Sequence, residues 1–172
     1  IADRFDARYG RLPGSKDPIF PRPQALLSEA DLVLGLDGTK MSKSRGNTIE
    51  LGMSADETAK ILKKAKTDSN RVITYDPIAR PEVSNLLLLA SMASDEEPEA
   101  IAQRIGDGGG GVLKATVTEA INDHLAPLRA RRAELEADPG YLLSVLEAGI
   151  TQANETANAT LLQAREAMGM VY

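Results

Sequence analysis

Gly35-Leu36-Asp37-Gly38-Thr39-Lys40-Met41-Ser42-Lys43-Ser44-Arg45-Gly46-Asn47 is the stretch on which the reading of this chain turns. It sets two lysines and two serines between glycines with almost no apolar content, the composition of a loop able to close on phosphates. Lys40 and Lys43 supply point charges, Ser42 and Ser44 supply hydroxyl donors, and glycine lets backbone N–H groups approach an anion closely. Gly38 and Gly46 are candidate hinges. Upstream, Ala30-Asp31-Leu32-Val33-Leu34 is a short apolar run that reads as a strand delivering the chain to Gly35. Downstream, Ser54-Ala55-Asp56-Glu57 has the capping-box pattern, and the helix it opens is predicted to run to about Lys66. Strand, basic loop and helix in that order make the tail of an α/β unit.

The rest of the pattern is helical. A short amphipathic helix end is expected at Ile1 to Tyr9, so that the chain begins in mid-fold. Gly10 to Pro23, with Pro13, Gly14, Pro18, Pro21 and Pro23, reads as an ordered surface loop. Val83 to Ala93 forms an apolar helix, and Pro98 opens a short one ending near Ile105. Leu113, Val117, Ile121, Leu128 and Leu135 mark a longer helix with Pro127 inside it, where a bend is expected. Asp138-Pro139 starts the last helix, whose Leu143, Leu146, Ile150, Ala153, Ala157, Leu161, Ala164 and Met168 follow a three-four alternation suited to bundle packing. The fold class is therefore mainly α: residues 1–53 are expected to close an α/β domain, and 54–172 to form a helical one.

Composition excludes several classes. The 172 residues are 42% apolar and 26% charged, enough for one good core, and hold no cysteine and a single histidine, His124. Disulfides and thiolate or zinc sites are ruled out, and no metal ligands are assigned. There is neither an apolar run of about 18 residues for a membrane span nor a basic-then-apolar leader, which agrees with a cytoplasmic protein. The net charge of −5 argues against non-specific coating of nucleic acid. Yet Lys40 to Arg71 carries eight basic and four acidic residues, so positive potential concentrates around the loop.

Lys60, Lys63 and Lys64 share one helical face, with Arg71 nearby in sequence. They read either as a solvated face or as contacts to a polynucleotide backbone. Arg129, Arg131 and Arg132, balanced by Glu134 and Glu136, read as solvated, and His124 as a surface or capping residue. Two Phe, four Tyr and no Trp leave little surface for stacking bases. Gly106-Asp107-Gly108-Gly109-Gly110-Gly111 fits G-x-G-x-x-G by letter but follows a helix rather than a strand, so it reads as a flexible interhelix link. Gly35 to Lys40 lacks Walker A spacing, and the sequons at Asn154 and Asn158 lie inside the last helix.

Lys40 to Ser44 reads KMSKS, and here the chain resembles the class I aminoacyl-tRNA synthetases. Ala2-Asp3-Arg4-Phe5, Arg8-Tyr9-Gly10, Thr67-Asp68-Ser69, Tyr75-Asp76-Pro77, Pro81 to Leu87, Leu125-Ala126-Pro127-Leu128 and Glu166-Ala167-Met168-Gly169 resemble the bacterial tryptophanyl branch. The likeness runs end to end but covers only that family's carboxyl-terminal half. The chain is therefore expected to be a fragment, inactive alone, without the His-Ile-Gly-His type motif and most of the tryptophan pocket. Gly108 to Gly111 and Ser94 to Glu97 depart from the family pattern.

The resemblance implies a ligase that activates tryptophan with ATP, accompanied by Mg²⁺, and transfers it to tRNA(Trp), acting as a homodimer. It implies a Rossmann-type domain ending at about residue 53 and a helical anticodon-binding domain beyond it. Lys43 and Lys40 would be catalytic, Lys40, Met41, Ser42, Lys43 and Ser44 would bind ATP, and Lys60, Lys63, Lys64 and Arg71 would contact tRNA. The competing readings are a tyrosyl enzyme of the same fold, and a non-catalytic helical module that binds tRNA or protein.

Overall fold

The computed structural model describes residues 1–10, 17–27 and 33–170. Their elements run α1 (Ala2–Tyr9), a single 3-10 turn (Lys43–Arg45), α2 (Ala55–Lys63), α3 (Pro81–Ser94), α4 (Pro98–Ile105), α5 (Gly109–Glu136) and α6 (Pro139–Ala167). The chain divides into two compact units, one of Leu27–Glu134 and the other of Ile1–Leu26 with Leu135–Tyr172.

In the unit Leu27–Glu134, helical periodicity builds the core. Val83, Leu86, Leu87 and Ala90 of α3 meet Ile101, Ala102 and Ile105 of α4 and Leu113, Val117, Ile121 and Leu125 of α5, with Leu62 and Ala65 closing the cluster. Leu62, Leu87, Ile101, Leu113 and Val117 are wholly buried, each stabilising the fold by about 1.5–3 kcal/mol relative to exposure. Leu36 and Ile49, which bracket the basic loop, pack on this core. The loop thus stands on the helices rather than apart from them.

Local chemistry explains the helix ends. Ser54 Oγ accepts from the Glu57 N–H at 3.2 Å, and Glu57 accepts from the Ser54 N–H at 2.8 Å, which makes the expected capping box. Helix α2 ends at Lys63, earlier than the Lys66 predicted. Beyond Lys64 the backbone leaves the helix, and the Lys66 N–H donates to the Leu36 carbonyl at 2.7 Å. His124 is exposed and its Nδ1 donates to the Ala93 carbonyl near the end of α3 at 3.2 Å, in keeping with the surface or capping residue expected.

Arg80 organises the segment between α2 and α3. Its guanidinium forks onto Asp68 at 2.7 and 2.8 Å and also donates to the Val72 carbonyl and the Thr74 hydroxyl. The side chain is 11% exposed, and the two partners hold each other charged: the Asp68 carboxyl lies below its usual range and Arg80 above. Asp76 then accepts from the N–H groups of Ile78 and Ala79, and its own N–H donates to Ser84 Oγ, setting the entry to α3.

Three expectations need correction. The strand at Ala30–Leu34 falls partly outside the described residues, at Ala30, Asp31 and Leu32; Leu34 forms only an isolated antiparallel bridge with Lys40, and no strand stands among the described residues. Gly106 to Gly111 is a packed corner rather than a loose link, because α5 already begins at Gly109. The Gly109 N–H donates to the Arg71 carbonyl and the Gly106 carbonyl accepts from Ile73, while a β-carbon on Gly110 would lie 2.9 Å from the Thr67 hydroxyl. Arg129 is not a solvated charge: it donates to the Met53 carbonyl, Thr58 Oγ1 and Asn122 Oδ1 at 2.9–3.0 Å, tying α2 to α5. Arg131 pairs with Glu134 at 2.9 Å on the surface, as read from the sequence.

In the other unit, Phe5 of α1 meets Phe20 edge-on with ring centroids 5.0 Å apart, and Arg22 pairs with Asp3. Of the proline-rich loop, Arg11 to Lys16 lie outside the described residues, and Asp17 to Pro23 form neither helix nor strand. Asp138 caps α6 by accepting from the Tyr141 N–H. The apolar stripe of α6 is open: Leu143, Leu146, Ile150 and Leu161 are about half exposed, and Ala164 is the buried residue of the helix. Three-four spacing tells which residues share a face, not what covers it.

Replacing Arg80 by alanine should leave Asp68, the Val72 carbonyl and the Thr74 hydroxyl without their donor and cost about 2 kcal/mol or more. Urea denaturation followed by circular dichroism checks this; an unshifted midpoint contradicts it.

Candidate functional site

The basic loop is a closed, internally bonded structure. The Gly35 N–H donates to the Thr39 carbonyl and the Gly38 N–H to the Gly35 carbonyl, so the chain reverses over Leu36 and Asp37 and returns at the Leu34–Lys40 bridge. Gly38 takes φ 80° there, a conformation natural to glycine. Past Met41, the 3-10 turn forms as the Arg45 and Gly46 N–H groups donate to the carbonyls of Ser42 and Lys43, and Gly46 ends it in the left-handed conformation.

Asn47 lies at the centre, 5% exposed. Its Oδ1 accepts from the Ser42 N–H at 2.8 Å. Its Nδ2 donates to Asp37 Oδ1 at 2.8 Å and to the Lys40 carbonyl at 3.2 Å. The carboxamide also lies against Gly35, where a β-carbon would fall 2.2 Å from Nδ2. Gly35 is therefore required by close approach rather than by its torsion angles. The same Asp37 oxygen accepts from the Thr39 N–H and hydroxyl, both at 2.9 Å. The Asn47 carboxamide, followed by Thr39, holds the Asp37 carboxyl at about 2, below its ordinary 3.8.

The loop is fastened at three places, two of them on α3. Asn85 of α3 copies a strand edge, with Oδ1 accepting from the Leu34 N–H at 2.8 Å and Nδ2 donating to its carbonyl at 3.1 Å. The Leu36 carbonyl takes the Lys66 N–H. Glu82, in the first turn of α3, packs so closely on Gly38 that a β-carbon there would lie 2.7 Å from its Cγ, and it pairs with Lys66 at 2.6 Å. That pair holds Glu82 below and Lys66 above their ordinary values. Gly38 is thus an anchor as well as a turn, whereas Gly46 faces open space.

What remains free is the tip. Met41, Lys43, Ser44 and Arg45 are exposed, as is Lys40, and no ion pair engages either loop lysine among the described residues. Ser42 and Ser44 hydroxyls share a hydrogen bond at 2.8 Å, and Arg45 donates to Thr39 Oγ1. Two unpaired ammonium groups and two hydroxyls on one short segment suit a polyanionic ligand. The structure brings Lys40, Met41, Ser42, Lys43 and Ser44 together on this tip. It sets Lys60 and Lys63 on the exposed side of α2, Lys64 at its C-cap and Arg71 in the following segment, all exposed. Lys66, from the same basic run, is committed to Glu82. Asn47, Asp37, Asn85 and Glu82 carry no role in the sequence reading; the single legible hint was an asparagine closing a glycine-bounded loop.

The model of the tRNA synthetases class I (W and Y) matches residues 1–126. The chain is similar to the tryptophan–tRNA ligase of Thermosynechococcus vestitus, at 38% identity over 98% of this chain and 52% of that protein. It is also similar to the tryptophan–tRNA ligase of Treponema pallidum, at 35% identity over 99% and 50%. Among solved structures it resembles the tryptophanyl-tRNA synthetase of Campylobacter jejuni complexed with ADP and tryptophan, with a TM-score of 0.67 and 28% identity over 98% of this chain and 51% of that one. The synthetase of Mycoplasma pneumoniae shares the fold, with a TM-score of 0.75 at 22% identity, over 99% and 53%. The chain spans about half the length of the curated relatives it matches. No described helix is long and apolar enough to cross a membrane.

Because the Asp37 carboxyl sits lower in the folded loop than in the unfolded chain, its contribution is present above the ordinary value of 3.8 and fades as pH falls through about 2. Carbon-detected NMR titration should find Asp37 ionised to about pH 2, with Thr39 amide shifts following it. Titration near 3.8 would mean that the loop is not closed in this way.

Proposed function

The chain belongs to the class I tRNA synthetases of the tryptophan and tyrosine type, and from that premise we propose that it is the phosphate-handling and tRNA-facing half of a tryptophan–tRNA ligase. The observation that carries the proposal is the tip of the lysine loop, where Lys40 and Lys43 stand exposed and unpaired on a segment whose stem is rigidly bonded.

In the proposed reaction, the tryptophan carboxylate attacks the α-phosphorus of ATP and pyrophosphate leaves, after which a hydroxyl of the terminal ribose of tRNA(Trp) takes the aminoacyl group from the adenylate and AMP leaves. The bond being broken loads negative charge onto the departing phosphates. Lys43, assisted by Lys40, meets that charge, and the hydroxyls of Ser42 and Ser44 exchange their mutual hydrogen bond for the phosphate oxygens. Met41 docks against apolar surface as the tip closes. Mg²⁺ is proposed to arrive with ATP, sharing its phosphates and needing no carboxylate cage from this chain. Closure over bound ATP would place the lysines more favourably in the transition state than in the ground state, which is what accelerates the chemical step.

Lys60, Lys63, Lys64 and Arg71 are proposed to contact the tRNA backbone. Support comes from their exposure and from the net positive charge of the Lys40–Arg71 stretch within an acidic chain. The functional division at residue 53/54, between a catalytic part and an anticodon-binding part, belongs to the same proposal, as do a cytoplasmic site and a homodimeric enzyme.

Amino-acid-dependent ATP–pyrophosphate exchange, run on the full polypeptide encoded with this sequence, should respond to tryptophan and not tyrosine. Lys43→Ala should slow that exchange by ~10²–10³-fold and leave tRNA affinity nearly unchanged. Weakened tRNA binding with normal activation would reverse the assignment. Joint replacement of Lys60, Lys63 and Lys64 by alanine should weaken tRNA binding and flatten its dependence on salt, with adenylate formation retained; an unchanged salt slope would remove these lysines from the interface.

A further inference from the structure

The loop lysines can act together only if the backbone between them is held, and one side chain holds it on both sides. Asn47 touches the Lys40 carbonyl and the Ser42 N–H, straddling Met41, while its amide also bonds Asp37 across the loop. The contact is dedicated: Asn47 is buried, and Gly35 leaves room for the carboxamide that any β-carbon would fill. Its own carbonyl accepts from the Leu36 N–H, so the residue is fixed to a stem that rests on the helical core.

We propose that Asn47, with Asp37 as its acceptor, is the positioning residue of the phosphate loop, setting the relative placement of Lys40 and Lys43 without touching the reacting atoms. The inference rests on the reading of the loop as the pyrophosphate site, and it assigns a function to a residue outside the lysine-serine motif. The requirement is a matched one. The side chain at position 47 must accept from Ser42 and donate toward Asp37, and a carboxamide does both where a carboxylate does one.

That requirement supplies the test. Asn47→Asp sets two carboxylates against each other and should reduce kcat for tryptophan-dependent ATP–pyrophosphate exchange by ~100-fold, with a smaller change in KM for tryptophan. Asp37→Asn keeps an Oδ1 acceptor for the amide and for Thr39 but loses the charge, and should lower kcat by less than Asn47→Asp does. The exchanged pair, Asp37→Asn with Asn47→Asp, removes the opposed carboxylates without returning a donor to the Lys40 carbonyl, and should recover severalfold but not all of the loss, a coupling that independent sites would not show.

Deuterium uptake at Lys40 to Ser44, measured on the same full polypeptides, should rise in Asn47→Asp and fall back in the exchanged pair, while uptake in α3 and α5 stays constant. A kcat loss without rescue, or unchanged uptake at Ser42, overturns the positioning role. Absence of exchange in the unsubstituted protein would defeat the functional reading instead, and the uptake pattern would still decide whether Asn47 orders the loop.

Discussion

An irregular thirteen-residue segment that leaves a helical core and returns to it must find partners for its backbone polar groups, since it has no regular ladder to supply them. Here the side chain of Asn47 provides much of what a ladder would. It accepts from the Ser42 N–H and donates to the Lys40 carbonyl and to Asp37, while Asp37 takes up the Thr39 amide and hydroxyl. Without that buried carboxamide, the loop would have a stem and a tip but no reason for the tip to stand in one place. Exposure of the lysines and order of the segment beneath them are therefore two consequences of the same hydrogen bonds.

The stem inherits its position from the helices. Asn85 grips both backbone groups of Leu34, Leu36 packs on the core, and Lys66, released from α2 at its early end, bonds the Leu36 carbonyl while its ammonium meets Glu82. Glu82 in turn lies against Gly38. Two of these fastenings, through Asn85 and Glu82, use the first turn or two of α3, and the entry to α3 is set by the Arg80–Asp68 fork and the Asp76 turn. Arg129 adds a second brace, joining Met53, Thr58 and Asn122 so that the start of α2 cannot drift from α5. The helical unit is thus the foundation of the loop as well as its neighbour.

How much of this could be read in advance depends on the range of the interaction. The capping box at Ser54, Pro81 and Pro98 at helix starts, and the Leu113–Leu125 stripe were legible because each depends on residues within a turn or two. The exposure of the lysine tip was legible from composition, since lysines and serines between glycines leave nothing apolar enough to bury. Asn47, Asn85 and Glu82 were not, because their partners lie 5 to 51 residues away and burial is what gives them meaning. The glycine corner misled for the same reason: Gly110 is there because Thr67 approaches it, a fact invisible along the chain. Arg129 sat among arginines with nearby glutamates and looked solvated, yet its acceptors are neutral groups, Met53 and Thr58 at the start of α2 and Asn122 on its own helix. The α6 stripe had the opposite fate, being correct in register but open on its face.

The central claim is that the Lys40–Ser44 tip, and not the lysine face of α2, is where this chain meets pyrophosphate. Titrating the ¹⁵N-labelled 172-residue chain with magnesium pyrophosphate and following its amide resonances tests this directly. Saturable shifts confined to Lys40 through Gly46 and the Asn47 side-chain amide are the predicted result. Shifts that concentrate on Lys60, Lys63 and Lys64 and leave the loop still would contradict it.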